Sequence, residues 1–291
     1  MIPINPCLGR FFTISESDLI RTVIQVRDER GVFPDDGPTR EDCENLKNIS
    51  SVNCPEETKD IIINFMLKFG KLYKKAYPVE IDHLRTFELE YTNPKHRDHI
   101  CHSFRVWSLG LWFYRNGFKH FFHSLHKRED LFDFVWYLTA FYHDIGYVKG
   151  HRYHGGDSAQ LLLKNLNHRF SGNWTTDAIH AIVAICLHDK KEQIDFQKDP
   201  YSVLLVLCDE IQEWGRNIPG HTKRCEIEKL QICLNLNAPV PSIEIVMLFP
   251  EIQTDDINKL KEYVRQNEKK YTETLTDRIK NLSIIVKCIP S

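Results

Sequence analysis

Apolar residues recur at helical spacing through the middle of the chain and change pattern near its end. Within Glu56–Ala76 they fall at positions 61, 62, 65, 66, 69, 72 and 73, one face of a helix, and Pro78 stops the pattern. His99–Tyr114 follows, closed by Asn116-Gly117. Asp130–Ile145, Asp157–Asn167, Thr175–His188 and Pro200–Trp214 continue the run, and Pro200 suits a first helical turn. No strand pattern interrupts this stretch, so residues 56–220 are expected to form a helical bundle. Beyond Gly220, Ile227–Leu236, Ile243–Phe249 and Leu282–Ile289 read as strands and Asp255–Lys270 as a helix. Residues 221–291 are therefore expected to be a small α+β appendage. Residues 1–55 are rich in turn formers (Pro3, Pro6, Gly31, Pro34, Gly37, Pro38), with a helix expected only over Ser17–Asp28. They read as a lead-in that packs on the bundle, and the fold class is mainly α.

Composition adds limits. With 291 residues, 42% of them hydrophobic and 27% charged, the chain can bury a sizeable core and is not a disordered chain. Thirty-eight Lys and Arg against 40 Asp and Glu leave a formal charge of −2, which argues against duplex nucleic acid as a partner. The most apolar segment, Leu131–Tyr142, is interrupted by Asp133 and is too short to span a bilayer, so no membrane association is expected. Met1–Ile14 lacks the basic start and apolar run of a signal peptide. The nine cysteines form no C-x-x-C pair and are odd in number. Reduced thiols and a cytoplasmic location fit them best, with Cys101, Cys186 and Cys208 as small buried side chains. What stands out is fourteen histidines.

Several of those histidines lie at helix ends or faces beside carboxylates. His99 and His102 share a helix face three residues apart. His143-Asp144 closes an almost wholly apolar helix, His154 precedes Gly155-Gly156 at the start of the next, and His188 ends a helix that also holds His180. Asp209 follows the unbroken apolar run Val203–Cys208 and is expected to be buried, where a carboxylate needs a cation or several donors. A salt bridge from Arg105 or Arg216 would satisfy Asp144 or Asp209 without any metal. The alternative is a metal centre, because imidazole and carboxylate together suit divalent Zn, Fe, Mn and similar ions. Six such groups on successive helices can point into one bundle interior.

The ordered set His102, His143-Asp144, His154, His188 and Asp209 resembles the HD-domain superfamily of metal-dependent phosphohydrolases, in its two-metal H…HD…H…H…D form. His102 sits in an H-S-x-R-V string and His154 in H-G-x-x-S-A, and the resemblance covers about residues 95–216. His99, His151 and His180 compete with His102, His154 and His188 for their places. The resemblance implies an HD-type helical bundle holding one or two divalent ions (Mn, Fe, Co, Zn or Mg). Asp144 would bridge them, and His154 and His188 would hold the second. It implies hydrolysis of a phosphate ester or anhydride in a nucleotide or other small molecule through a metal-activated hydroxide. Lys149 stands beyond the place after the doublet where many members carry Lys.

Phosphate charge also calls for cations. Arg105 lies one turn from His102, and Asp209, Gln212, Glu213 and Arg216 share a face if the helix runs to Trp214. Arg216 could then meet a phosphate or pair with Glu213 or Asp98, and Gln212 could orient a ligand or bond a base. Lys149, Lys190 and Lys191 are candidates for the mouth of the site. Tyr142, Tyr147, Tyr153 and Trp214 could stack a base or simply pack in the core. An HD-type di-iron oxygenase uses the same ligand order, and a non-catalytic nucleotide-binding sensor on a degenerate HD fold, which would be expected to lack ligands, is a further alternative. Self-association through the edge strands of the appendage is a further expectation.

Overall fold

The computed structural model describes residues 9–29, 37–49, 56–72, 99–123, 125, 129–149, 154–170, 176–212, 214, 216–217, 224–225, 229–249 and 257–290. A first strand, β1 (Arg10–Ile14), leads into α1 (Glu16–Glu29), which buries Leu19, Ile20, Val23, Ile24 and Val26. α2 (Arg40–Lys47) starts at a capping box in which the Thr39 and Asp42 side chains each accept the other's backbone N–H. α3 (Glu56–Leu72) buries Ile62, Ile63, Phe65, Met66 and Phe69, as its period requires. Its expected continuation to Ala76 and the stop at Pro78 lie outside the described residues.

The centre of the bundle is α4 (His99–Phe113), every residue of which is buried. A helix buried on every side must be surrounded, and α4 packs against α1, α3, α5 (Glu129–Tyr142) and α8 (Pro200–Ile211). At its contact with α5, Gly110 leaves room for the Trp136 indole, whose Nε1 donates to the Trp107 carbonyl at 2.8 Å. A 3₁₀ turn, Ile145–Lys149, leads on from α5 towards α6 (His154–Phe170). α7 (Ala178–Leu187) and α8 (Pro200–Ile211) complete the bundle. Asp199 caps α8 by accepting the Ser202 amide, and Pro200 occupies the first turn as expected.

Short strands follow: β2 (Ile194–Asp195), β3 (Arg216–Asn217) and β4 (Arg224–Cys225). The C-terminal unit holds β5 (Lys229–Asn235), β6 (Ser242–Phe249), α9 (Ile257–Tyr271), β7 (Ile279–Lys280) and β8 (Ser283–Pro290). The main sheet has the order β1-β5-β6-β8. β5 runs antiparallel to β1 and β6, and β8 runs parallel to β6 (Ile245↔Val286). Parallel neighbours need a crossover, which α9 supplies.

The structure is mainly helical with a small sheet region, and it corrects the sequence reading in four places. The lead-in is not only a packing segment: β1 pairs with β5, Phe12 opposite Ile232, so it supplies an edge strand to the C-terminal sheet. α6 begins at His154 rather than Asp157, taking the weak helix formers Gly155 and Gly156 into its first turn. α8 ends at Ile211, short of Trp214. The cysteines are not all reduced, since Cys101 and Cys233 are disulfide-bonded, while Cys43, Cys186, Cys208 and Cys288 are free. Residue spacing alone does not reveal which cysteines are bonded. Among the described residues no helix is long and apolar enough to cross a membrane.

Candidate metal centre

Four histidines and Asp144 converge between the ends of α4, α5, α6 and α7. His102 lies one turn into α4, and His143 and Asp144 form the turn that ends α5. His154 opens α6 and His188 caps the C-terminal end of α7. All five are buried. Asp144 stands between two pairs of imidazoles. Its Oδ2 lies 3.5 Å from His102 Nε2 and 3.4 Å from His143 Nε2. Its Oδ1 lies 3.4 Å from His154 Nε2 and 3.6 Å from His188 Nε2. The donor atoms thus form two triads that share one carboxylate, and each can hold a metal ion. Asp209, at the C-terminal end of α8 with its side chain 17% exposed, approaches the first triad: Oδ1 is 3.1 Å from His102 Nε2 and 3.8 Å from His143 Nε2.

Protonation can be inferred from the acceptor that each Nδ1 meets. His143 Nδ1 donates to the Ala140 carbonyl at 2.8 Å and His188 Nδ1 to the Ile185 carbonyl at 2.7 Å. His102 Nδ1 lies 2.5 Å from Gln212 Oε1; the Gln212 amide nitrogen is spent on the Trp214 carbonyl at 2.9 Å, so the facing atom is an acceptor. His154 Nδ1 faces Asp189 Oδ2 at 3.3 Å. His102, His143 and His188 therefore carry the proton on Nδ1 and present a lone pair at Nε2, and the carboxylate facing His154 favours the same tautomer there. Those lone pairs meet head on, His102 against His143 at 3.1 Å and His154 against His188 at 2.9 Å. Two lone pairs at that distance repel unless a cation or a proton lies against them. The residues present thus fit divalent metal ions, with the second ring nitrogens fixed as in other histidine sites.

Electrostatics separates the two halves. Burial pushes the His143 imidazolium down to about 4, although the Asp144 and Asp209 charges oppose the shift. For Asp144, burial favours the neutral acid, but the neighbouring His143, His154, His188 and His99 imidazoles outweigh it and hold the carboxyl well below its ordinary value. For His188, burial again disfavours charge, yet the hydrogen bond and charge of Asp144 prevail and raise it above 6.5. Metal and proton compete for the same lone pair. As pH falls, His188 takes its proton already above the ordinary imidazole value of 6.5, whereas His143 keeps its lone pair until about 4. In the metal-free chain His188 is therefore expected to be protonated before His143 as pH falls. An NMR titration of the histidine rings of the metal-free chain between pH 8 and 5 checks this: the His188 ring should gain its proton while His143 stays neutral, and a His143 ring that titrates in that range would contradict it.

The other sequence candidates fall in different places. Arg105 is buried in a structural pairing, Nε donating to Glu16 Oε1 and Nη1 to the Trp214 carbonyl, each at 2.8 Å. Because Gln212 donates to that same carbonyl, Arg105 touches the centre through Gln212 and His102. Gln212 does not share a helical face with Asp209, because α8 stops at Ile211 and the Gln212 backbone turns away from helical geometry. The Arg216 backbone lies in β3, and its side chain, like His151, Tyr153, Asp98 and Glu213, lies outside the described residues. Lys149 pairs with Asp157 at 3.2 Å on the exposed surface. Tyr142 accepts a hydrogen bond from Asn165.

Of the competing histidines, His99 is drawn in, with Nδ1 3.7 Å from Asp144 Oδ2. His180 instead stacks on the Tyr201 ring. Tyr147 packs flat on the His154 ring, with centroids 3.9 Å apart. Spacing missed Asp189 and Arg278, both of which support the His154–His188 half. Asp189 had a signal, since His188-Asp189 repeats the His-Asp doublet; Arg278 had none. No protein-family model matches the chain, nor does any curated protein.

Proposed function

We propose that the protein is a metal-dependent phosphohydrolase of the HD type, acting on a phosphate ester or anhydride of a nucleotide or other small molecule. The observation that carries this reading is the shared carboxylate: Asp144 turns one oxygen to His102 and His143 and the other to His154 and His188. Two divalent ions bound there would supply Lewis acidity and lower the pKa of a water to about 7. His102, His143 and Asp209 would hold one side, His154 and His188 the other, with Asp144 common to both. Gln212 holds the His102 ring with Nε2 inward, and Arg105 steadies Gln212 through the Trp214 carbonyl. The near-neutral charge of the chain favours a small substrate over a duplex. Arg216, two residues beyond Trp214, is proposed on sequence grounds as the cation that meets the phosphate.

The test is metal content of the purified chain, followed by a screen of phosphate monoesters, diesters and nucleotides with Mn²⁺, Co²⁺ and Mg²⁺. The expected result is ion-dependent hydrolysis that a chelator abolishes and added metal restores. Oxygen consumption with a mixed-valence di-iron spectrum would assign an HD-type oxygenase instead. Nucleotide binding without turnover at metal saturation would assign a sensor.

A further inference from the structure

The two halves of the centre are supported differently. On the His102–His143 side the Nδ1 partners are neutral, the Gln212 amide oxygen and the Ala140 carbonyl. On the other side a carboxylate takes part. Asp189 Oδ2 faces His154 Nδ1 at 3.3 Å and accepts the Gly155 amide at 3.1 Å. One side chain beyond the end of α7 thus accepts from the backbone of the first turn of α6 and sets a carboxylate against the His154 ring. The approach is open only to glycine: a Cβ on Gly155 would lie 2.5 Å from the Ile185 carbonyl oxygen and 2.8 Å from Asp189 Oδ1. His188 gains a charged support of its own. Arg278, buried in the turn before β7, donates from Nη1 to the His188 carbonyl at 2.8 Å, from Nη2 to the Leu187 carbonyl, and from Nε to the Glu192 carbonyl at 3.1 Å. A helix C-terminus leaves its last carbonyls without helical partners, and here a buried guanidinium takes two of them. The β2–β7 pairing, Ile194 opposite Ile279, fixes the Arg278 turn against the bundle.

We propose that Asp189 and Arg278 are positioning residues that set the affinity of the His154–His188 half for a divalent cation, separately from the His102–His143 half. The proposal rests on the metal-centre reading above. A carboxylate at Nδ1 holds the imidazole in the tautomer that presents Nε2 and makes that nitrogen a stronger donor, and loss of such a partner weakens metal affinity by about 10- to 100-fold. Arg278 acts on the other ligand by holding the backbone of His188 itself. It comes from the C-terminal unit, so this half of the centre is completed by a segment about ninety residues further along the chain.

The experiment is Mn²⁺ titration of the full chain by calorimetry and equilibrium dialysis, for the natural protein and for Asp189→Ala, Asp189→Asn and Arg278→Met. Asp189→Ala is expected to weaken one ion about 10- to 100-fold and leave the other within about twofold. Asp189→Asn should recover part of the loss, because its amide oxygen still accepts from Nδ1 in an unchanged volume. Arg278→Met should weaken the same ion. In the metal-free chain, imidazole ¹⁵N shifts should report His154 protonated at Nδ1 in the natural protein and as a tautomer mixture in Asp189→Ala. Helical circular dichroism reports whether each variant is folded, and Asp189→Asn carries the test if the alanine variant is not. Unchanged affinities in Asp189→Asn and Arg278→Met, or equal weakening of both ions, would overturn the proposal. A natural protein that binds no Mn²⁺ would overturn the metal-centre reading itself, and that result needs no variant.

Discussion

Replacing Asp144 by Ala is expected to strip both ions from the protein and abolish any metal-dependent turnover. The reason is geometric. Each of the four histidines serves one triad, whereas Asp144 serves both, through Oδ2 on one side and Oδ1 on the other. It is also the only anion common to the two triads, and a buried cation without a counter-charge is costly. A loss of affinity of about three decades for each ion, roughly 4 kcal/mol at about 1.4 kcal/mol per decade, is the expected scale. His188→Ala should remove one ion and leave the other. Metal analysis after dialysis measures both variants. An Asp144→Ala protein that retains two ions near natural affinity would refute the shared-carboxylate description.

Replacing Gly110 by Ala is expected to cost stability far from any chemistry. A Cβ at position 110 would lie 2.0 Å from Trp136 Cζ2 and 2.4 Å from its Nε1. The indole cannot swing aside freely, because it is fully buried and Nε1 is bonded to the Trp107 carbonyl. Either α4 and α5 move apart or that bond breaks inside the core. Overpacking of this kind typically costs about 1–3 kcal/mol, and a buried donor left unpaired adds roughly 1–3 kcal/mol. The urea midpoint should therefore fall well below that of the natural protein at an unchanged slope. An unchanged midpoint would mean that the contact between the helices is looser than described.

Much of the bundle was legible because its information is local. Period, caps and breakers act within a few residues, and they placed α1, α3 through α5, α7 and the start of α8 within a few positions. The elements that escaped depend on distant partners or on exceptions to propensity. Arg10–Ile14 is five residues long and becomes a strand because β5 lies beside it. α6 starts three residues earlier than its apolar pattern places it because Gly155 and Gly156 are weak helix formers, although Gly155 sits there so that two helix ends can touch. The histidines of the candidate centre were legible from their ordered spacing, and the structure brings His102, His143, Asp144, His154 and His188 together. The residues that orient them were less so. Gln212 was singled out for a helical face it does not occupy, and it reaches His102 because the helix ends before it. Arg278 lies 90 residues from the carbonyl it grips, a separation that no local pattern encodes.

The pairing of β1 with β5 bears on how the molecule assembles. Ile14 stands opposite Leu230 and Arg10 opposite Leu234, with the whole bundle in the intervening sequence. Closing a loop of that length carries an entropic cost that grows only as the logarithm of its length, but it must be met before the ladder can form. Contacts of such high sequence separation form late and slow folding. During synthesis Arg10–Ile14 leaves the ribosome long before its partner exists, so the helices have time to condense first. The β1–β5 ladder is therefore expected to close after the helices. Pulse-labelled hydrogen exchange should show helical amides protected before those of β1, and β1 amides protected as early as the helices would contradict that order.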